Sequence, residues 1–255
     1  MHAQDNMDED GRDRNRKNTI MQKTALVTGG TRGIGEGISR ALVKAGYTVI
    51  ACGLTAAECA AFSPEAGIST AVLDVTDERS VASAIAACNR LDLLVNCAGI
   101  IQRAGKEFEI EAFRLTLEVN LVGTMRMCVA AKPLLAKTGG SIVNTASMLT
   151  FHGSPFVPGY AASKGGIGQL TKSLAAAWAP EGVRVNAIAP GWIETELTRP
   201  LVEDAVRAAP ILARTPMNRW GTPGDIGGVV VFLASDAARF VTGAIIPVDG
   251  GYLAV

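Results

Sequence analysis

The sequence predicts an α/β protein in one domain, built on a doubly wound parallel sheet of about seven strands with helices on both faces. Three observations carry this. Short apolar, β-branched runs alternate with longer segments of helical periodicity, the pattern of parallel strands joined by crossing helices. The 255 residues fit one large α/β domain, since a single core grows to about 250–300 residues before dividing. The first strand runs directly into a glycine-rich turn and a helix, the opening of a dinucleotide-binding βαβ unit.

Composition narrows the function classes. Hydrophobic residues make up 48%, charged residues 19%, and the formal net charge is zero. This argues for a soluble globular protein and against a nucleic-acid partner. The five cysteines (Cys52, Cys59, Cys88, Cys97 and Cys128) are scattered without CxxC spacing. They read as free, buried thiols of a reducing cytoplasm, not as disulfides or metal ligands. No apolar run is long enough to span a membrane, and no signal-peptide core is visible. Met1 to Gln22 mix acidic and basic side chains with almost no apolar ones and are expected to be a disordered extension. The folded domain is then residues 23–255.

Thr24-Ala25-Leu26-Val27-Thr28 is a short buried strand, and Gly29-Gly30-Thr31-Arg32-Gly33-Ile34-Gly35 turns into a helix over about Ile34 to Ala45. Gly29 suits the tight turn, Gly33 lets a pyrophosphate approach the backbone, and Gly35 permits close packing of helix on strand. The helix N-terminus favours an anion. Thr48 to Cys52 forms the second strand, whose end commonly separates NAD from NADP by an acidic or a basic residue. Gly53-Leu54-Thr55 supplies neither, with nothing acidic following the strand, and Thr55 to Gly67 leaves room for only a small helix. Ser69 to Leu73 is the third strand, ending at Asp74-Val75. An amphipathic helix over about Glu78 to Cys88 and a fourth strand, Leu91 to Val95, lead to Asn96-Cys97-Ala98-Gly99. The small residues there admit close approach of a ligand, or serve the central sheet alone. One long helix is expected over roughly Ile110 to Lys137. It contains Asn120, a mediocre helix former, which is either functional or a buried, satisfied amide. Toward the C-terminus, Val183 to Ala189 forms a strand, and Glu196 to Ile211 a helix pair, lid or ordinary solvated surface. A last helix and strand lie between Arg219 and Gly251.

The chemistry concentrates between Ser147 and Lys164. Ser141 to Ala146 reads as a buried strand with Ser147 at its C-terminal end, the edge where open α/β sheets bind ligands. If Pro158-Gly159 opens a helix, Tyr160 and Lys164 lie one turn apart on one face. A cation there is expected to lower the phenol's pKa from about 10 and make Tyr160 useful as an acid or base. Arg103, just past the fourth strand, suits a two-point grip on a carboxylate, and is otherwise a surface arginine. His152 lies where a side chain can face a substrate, and is otherwise a loop histidine with a structural partner. A serine-hydrolase reading of Ser147 and His152 fails for want of nucleophile-elbow glycines and an orienting carboxylate.

Ser147, Tyr160 and Lys164, with the Thr28 to Gly35 turn and Asn96-Cys97-Ala98-Gly99, resemble the classical short-chain dehydrogenase/reductase family over nearly the whole chain from about Lys23. The resemblance implies a Rossmann-like fold, hydride transfer between a nicotinamide and a secondary alcohol or ketone, and a catalytic set of Asn120, Ser147, Tyr160 and Lys164. For the cofactor it implies contacts from Gly29, Thr31, Arg32, Gly33, Ile34 and Gly35 and from Leu54, Asp74 and Val75. Further contacts come from Asn96, Ala98 and Gly99, from Tyr160 and Lys164, and from Pro190, Gly191, Ile193 and Thr195. Arg32 resembles the basic residue that NADP-using members hold near the 2′-phosphate, so NADP is expected ahead of NAD. Members acting on sugar acids, in the gluconate and ketodeoxygluconate 5-dehydrogenase branch, carry arginine at or next to Arg103. The implied substrate is a small sugar acid or polyol, with Arg103, Ser147, Met148, His152 and Trp192 toward it and Glu194 and Glu196 as further wall residues. The alternatives are a 3-oxoacyl carrier-protein reductase, which needs a basic docking patch, and a non-enzymatic dinucleotide-binding regulator. A homotetramer is the implied assembly, and no metal is.

Overall fold

The computed structural model describes residues 22–255; the expectation for Met1 to Gln22 falls, Gln22 apart, outside them. Seven parallel strands make one sheet in the order β3-β2-β1-β4-β5-β6-β7. They are β1 (Thr24–Thr28), β2 (Thr48–Gly53), β3 (Ile68–Val72), β4 (Leu93–Asn96), β5 (Ser141–Thr145), β6 (Arg184–Pro190) and β7 (Ile245–Val248). The order reverses between β1 and β4, and such a switch point opens a crevice at the strands' C-terminal ends.

Alternation along the central strands divides the core into two layers. Leu26, Leu94 and Ile142 pack on one side with Val81, Met127, Cys128, Ala131 and Leu174, from α3 (Glu78–Ala86), α5 (Gly123–Thr138) and α6 (Pro158–Trp178). Ala25, Val27, Leu93, Val95 and Val143 pack on the other with Ile38, Leu42, Ile226 and Val230, from α1 (Gly33–Lys44) and α9 (Pro223–Ala234). Both faces of the sheet are apolar because both are covered, as the sequence predicts.

Buried polar groups tie the central strands to helices. Asn96 donates to Asn144 at 2.9 Å, and Asn144 donates to Thr171 of α6 at 3.0 Å. Thr28 Oγ1, at the end of β1, accepts the N–H groups of Cys97 and Ala98 and so fixes the turn after β4.

The expected continuous helix from Ile110 is broken. After α4 (Ile110–Leu117), residues Glu118–Val122 form a π turn before α5 resumes. The insertion of a wide turn shifts the phase of the helix and frees main-chain groups around Asn120, a device concentrated at functional sites. The small helix after β2 is α2 (Ala56–Ala61), and the expected pair beyond β6 is α7 (Arg199–Val202) and α8 (Ala205–Ala213). No described helix is long and apolar enough to cross a membrane.

Candidate active site

A cleft of about 680 Å³ lies along the C-terminal ends of the central strands. Its lining crosses the sheet: Asp74 and Val75 follow β3, Leu54 and Glu58 follow β2, Arg32 and Thr195 flank the start of α1, and Tyr160 and Lys164 lie on the β5 side. Its floor is the first turn of α1 and the Ala98-Gly99 turn. Gly33 has φ +53°, a left-handed conformation that favours glycine. A Cβ at Gly35 would run into the carbonyl oxygen of Gly29, so this glycine packs the helix onto its own entry turn. Backbone is thus exposed to the cleft at the α1 N-terminus, where N–H groups and the helix dipole suit a pyrophosphate. The residues present therefore fit a dinucleotide.

Local sequence sets the geometry at the Tyr160 end. Pro158 occupies the first turn of α6, directly after the N-cap Val157, a position where its missing N–H costs no helix bond and its fixed φ favours the turn. Tyr160 and Lys164 consequently share a face, with Lys164 Nζ 5.4 Å from the centre of the Tyr160 ring. Lys164 Nζ donates to the carbonyl of Thr145, the last residue of β5, at 2.6 Å. Ser147 caps a short turn, its Oγ accepting from Leu149 N–H, and its own N–H is taken by Thr150 Oγ1. That same hydroxyl donates to the Lys164 carbonyl at 2.8 Å. Thr150 therefore bolts the strand end to the helix, a positioning role with no advance signal in the sequence.

Asn120 is buried at the π turn. Its Oδ1 accepts Ile100 N–H at 2.8 Å, while Nδ2 donates to the Ile100 carbonyl and to Ser163 Oγ. The Asn120 carbonyl accepts the Thr124 hydroxyl at 2.8 Å. A Cβ at Gly99 would lie 3.3 Å from Asn120 Oδ1 and 4.0 Å from Lys164 Nζ, so these groups converge on one small volume.

The electrostatics correct one expectation. Tyr160 is not depressed by its neighbour: burial pushes its phenol up to about 12, against the downward pull of the Ser147 hydrogen bond and the Arg103 guanidinium. Burial also pushes Lys164 down to about 8. For both groups desolvation is the largest cause of the shift. Arg103, exposed at the cleft rim, nevertheless stands near enough to Tyr160 to favour the phenolate.

Other expected residues divide. Gly29, Ile34, Ala98 and Gly99 line the cleft, and Thr195 sits against Gly33, whose Cβ would come within 3.5 Å of its methyl group. Thr31 lies just behind the wall, its hydroxyl buried and without a partner. Asn96 points into the core toward Asn144 and Cys128. Pro190 and Gly191 end β6 against β7, and the buried Ile193 bridges to Gly221. Of the substrate residues, Met148 is buried. His152 contacts the Gly153 carbonyl through Nδ1 and the Tyr252 ring at 6.4 Å, while Trp192 packs edge-on against Trp220. None of these three lines the cleft. Glu194 is exposed, and Glu196 does line the cleft. The expectation that nothing acidic follows β2 is also overturned: Glu58 of α2 enters the cleft and pairs with Arg32 at 3.4 Å.

Similarity to known proteins agrees with this architecture. A family model described as enoyl-(acyl carrier protein) reductase matches residues 29–253. The 2-dehydro-3-deoxy-D-gluconate 5-dehydrogenase of Pseudoalteromonas atlantica is 43% identical over 251 residues, covering 93% of this chain and 98% of that protein. A gluconate 5-dehydrogenase from Burkholderia cenocepacia, solved in complex with NADP and tartrate, superposes with TM-score 0.85 at 36% identity, covering 91% of this chain and 96% of that one. A short-chain type dehydrogenase/reductase from Mycobacterium ulcerans gives the same TM-score at 33% identity, covering 91% and 90%. Fold, cleft and sequence similarity converge: the chain belongs to the short-chain dehydrogenase/reductase family of oxidoreductases.

Proposed function

We propose that this enzyme interconverts a secondary alcohol and a ketone on a small sugar acid, using NADP or NAD held along the cleft from Arg32 to Tyr160. The observation that carries the reading is that Tyr160 and Lys164 line a cleft shared with a glycine-lined helix N-terminus, with the Ser147 hydroxyl bonded to Tyr160 and Asn120 set just behind Gly99 beside Lys164. A bound nicotinamide dinucleotide supplies the hydride acceptor or donor. The chain's own groups handle the proton. A phenol held near 12 rests neutral, ready to give its proton to a ketone oxygen. For alcohol oxidation Tyr160 must instead act as phenolate, and the cations Lys164 and Arg103 are the groups that favour that form. Ser147 orients the reacting oxygen, and Asn120, tied to Ile100 and Ser163, keeps the region behind Lys164 open for proton relay. Arg103 at the rim meets the substrate carboxylate.

Support for the substrate class comes from Arg103 and from the relatives, which act on ketodeoxygluconate and gluconate. The carrier-protein alternative needs a docking patch of basic side chains. In this chain Glu196 lines the cleft and Glu194 is exposed near it, which disfavours an acidic carrier. A panel of aldonates, ketodeoxy acids, neutral polyols and acetoacetyl thioesters, each with NAD(H) and NADP(H), tests the assignment. Turnover confined to thioesters would reject it. We read the assembly as a homotetramer of the cytoplasm. The exposed apolar side chains Val122, Met125 and Val129 on one side of the π turn and α5 offer a docking face for a second copy, and the five cysteines are free thiols.

A further inference from the structure

We propose that Glu58 sets the choice between NAD and NADP, because its carboxylate takes the same two donors, the Leu54 amide and the Arg32 guanidinium, that a 2′-phosphate would need. The inference rests on the dinucleotide reading above and assigns a specificity residue within it.

The geometry divides the carboxylate between two partners. Glu58 Oε2 accepts Leu54 N–H at 2.8 Å, and Oε1 lies 3.4 Å from Arg32 Nη2. All three residues line the cleft beside the end of β2, whereas Lys164 is bonded to the end of β5. Behind them the Thr31 hydroxyl is buried without a partner. A Cβ on Gly53 would stand 2.9 Å from that oxygen and 3.2 Å from Glu58 Cβ. The wall is therefore packed as tightly as bare backbone permits, and Glu58 is the side chain that decides its charge. Ribose hydroxyls can donate to a carboxylate in this place. A 2′-phosphate carries two negative charges, so it must displace Glu58 from Leu54 and Arg32 before it can use either.

A purely structural role predicts something different. Thr55 Oγ1 already caps α2 by accepting Glu58 N–H at 3.1 Å, and a glutamine at 58 would still accept the Leu54 N–H. If Glu58 merely steadies the turn, Glu58→Gln leaves the preference between the two dinucleotides unchanged. If it selects the cofactor, removing its charge frees Arg32 for phosphate while costing the ribose hydroxyls their strongest acceptor.

The test is a fluorescence titration of the full-length wild type and Glu58→Gln with NADH and with NADPH, in the absence of substrate. The expected result is a shift of the affinity ratio toward NADPH by about tenfold or more, the scale of removing one like charge a few ångström from a phosphate in a partly solvated site. Adding Arg32→Ala to Glu58→Gln should abolish the NADPH gain and leave NADH binding nearly unchanged. A ratio that stays within about threefold of wild type, or moves toward NADH, overturns the inference alone. Failure of the wild type to bind either dinucleotide overturns both it and the cofactor reading.

Discussion

The two ends of the cleft use charge in opposite ways. At the far end, Arg32 and Glu58 form an ion pair with side chains 65% and 26% exposed. Water and the opposite charge each soften the interaction, and such a pair is worth little to stability. At the near end, Lys164 is buried, and among the described residues its ammonium bonds the Thr145 carbonyl and pairs with no carboxylate. There burial dominates and moves Tyr160 and Lys164 in opposite directions, to about 12 and about 8. Substitutions at the buried end should therefore act on chemistry and stability together, and substitutions at exposed positions on binding and charge with little effect on stability.

The largest effect is expected from Tyr160→Phe, which deletes one oxygen and leaves the ring packed. Turnover should fall by about three to four orders of magnitude, the upper range for a positioned acid or base. Dinucleotide affinity should stay within about threefold, because the phenol is a minor part of a long cleft. Retention of more than about a tenth of wild-type turnover would remove Tyr160 from its proposed role.

Next in size is Lys164→Met, where loss of activity should coincide with a gain in stability. Depression of the Lys164 pKa from 10.5 to about 8 corresponds to about 3 kcal/mol against the charged form. Losing the bond to Thr145 offsets about 1 kcal/mol of this. A net stabilisation of about 1–3 kcal/mol is expected near pH 7, as when a buried charge is replaced by an apolar group of similar length. The sign can be checked by pH. Below about 8 the wild type bears the full cost of its buried ammonium; between about 8 and 10.5 the folded state loses the proton before the unfolded chain does, and the cost fades. The melting-temperature advantage of the variant should consequently shrink from pH 7 to pH 10. A variant less stable than wild type at pH 7 would show that the Thr145 contact outweighs the desolvation.

This contrast also explains which features were legible in the sequence. The sheet and its covering on both faces were, because continuous apolar runs such as Ala25-Leu26-Val27 bury both faces of a strand at once. The pairing of Tyr160 with Lys164 was, because four residues on a helix begun by Pro158 fix a shared face whatever surrounds them. The direction of the Tyr160 shift was not, since burial is a property of the packed chain and a nearby lysine is visible without it. The π turn at Glu118–Val122 was hidden for a related reason: the apolar periodicity continues across it, and only Asn120 hinted at a departure. Glu58 was not legible because it stands five residues past the strand end and meets Arg32 only through the fold. His152 and Trp192 were placed by proximity in sequence to Ser147 and Pro190, and their rings instead turn to Tyr252 and Trp220.

The smallest effect is expected at the rim. Arg103 is exposed, sits in the loop after β4 just before left-handed Ala104 and Gly105, and acts on Tyr160 through space. A solvated guanidinium gripping a carboxylate contributes about 1.5 kcal/mol, so Arg103→Ala should raise KM for carboxylated substrates about tenfold. For neutral polyols KM should be unchanged. Loss of the cation should also let the phenol rise, so the alkaline shoulder of the oxidation rate should move to higher pH for both substrate types. The two readouts separate the residue's two functions: binding discriminates between acid and polyol, whereas the pH shift does not. Equal KM changes for both classes would mean that Arg103 supports the loop and does not read the substrate, and the sugar-acid assignment would then lose its only anchor within the chain.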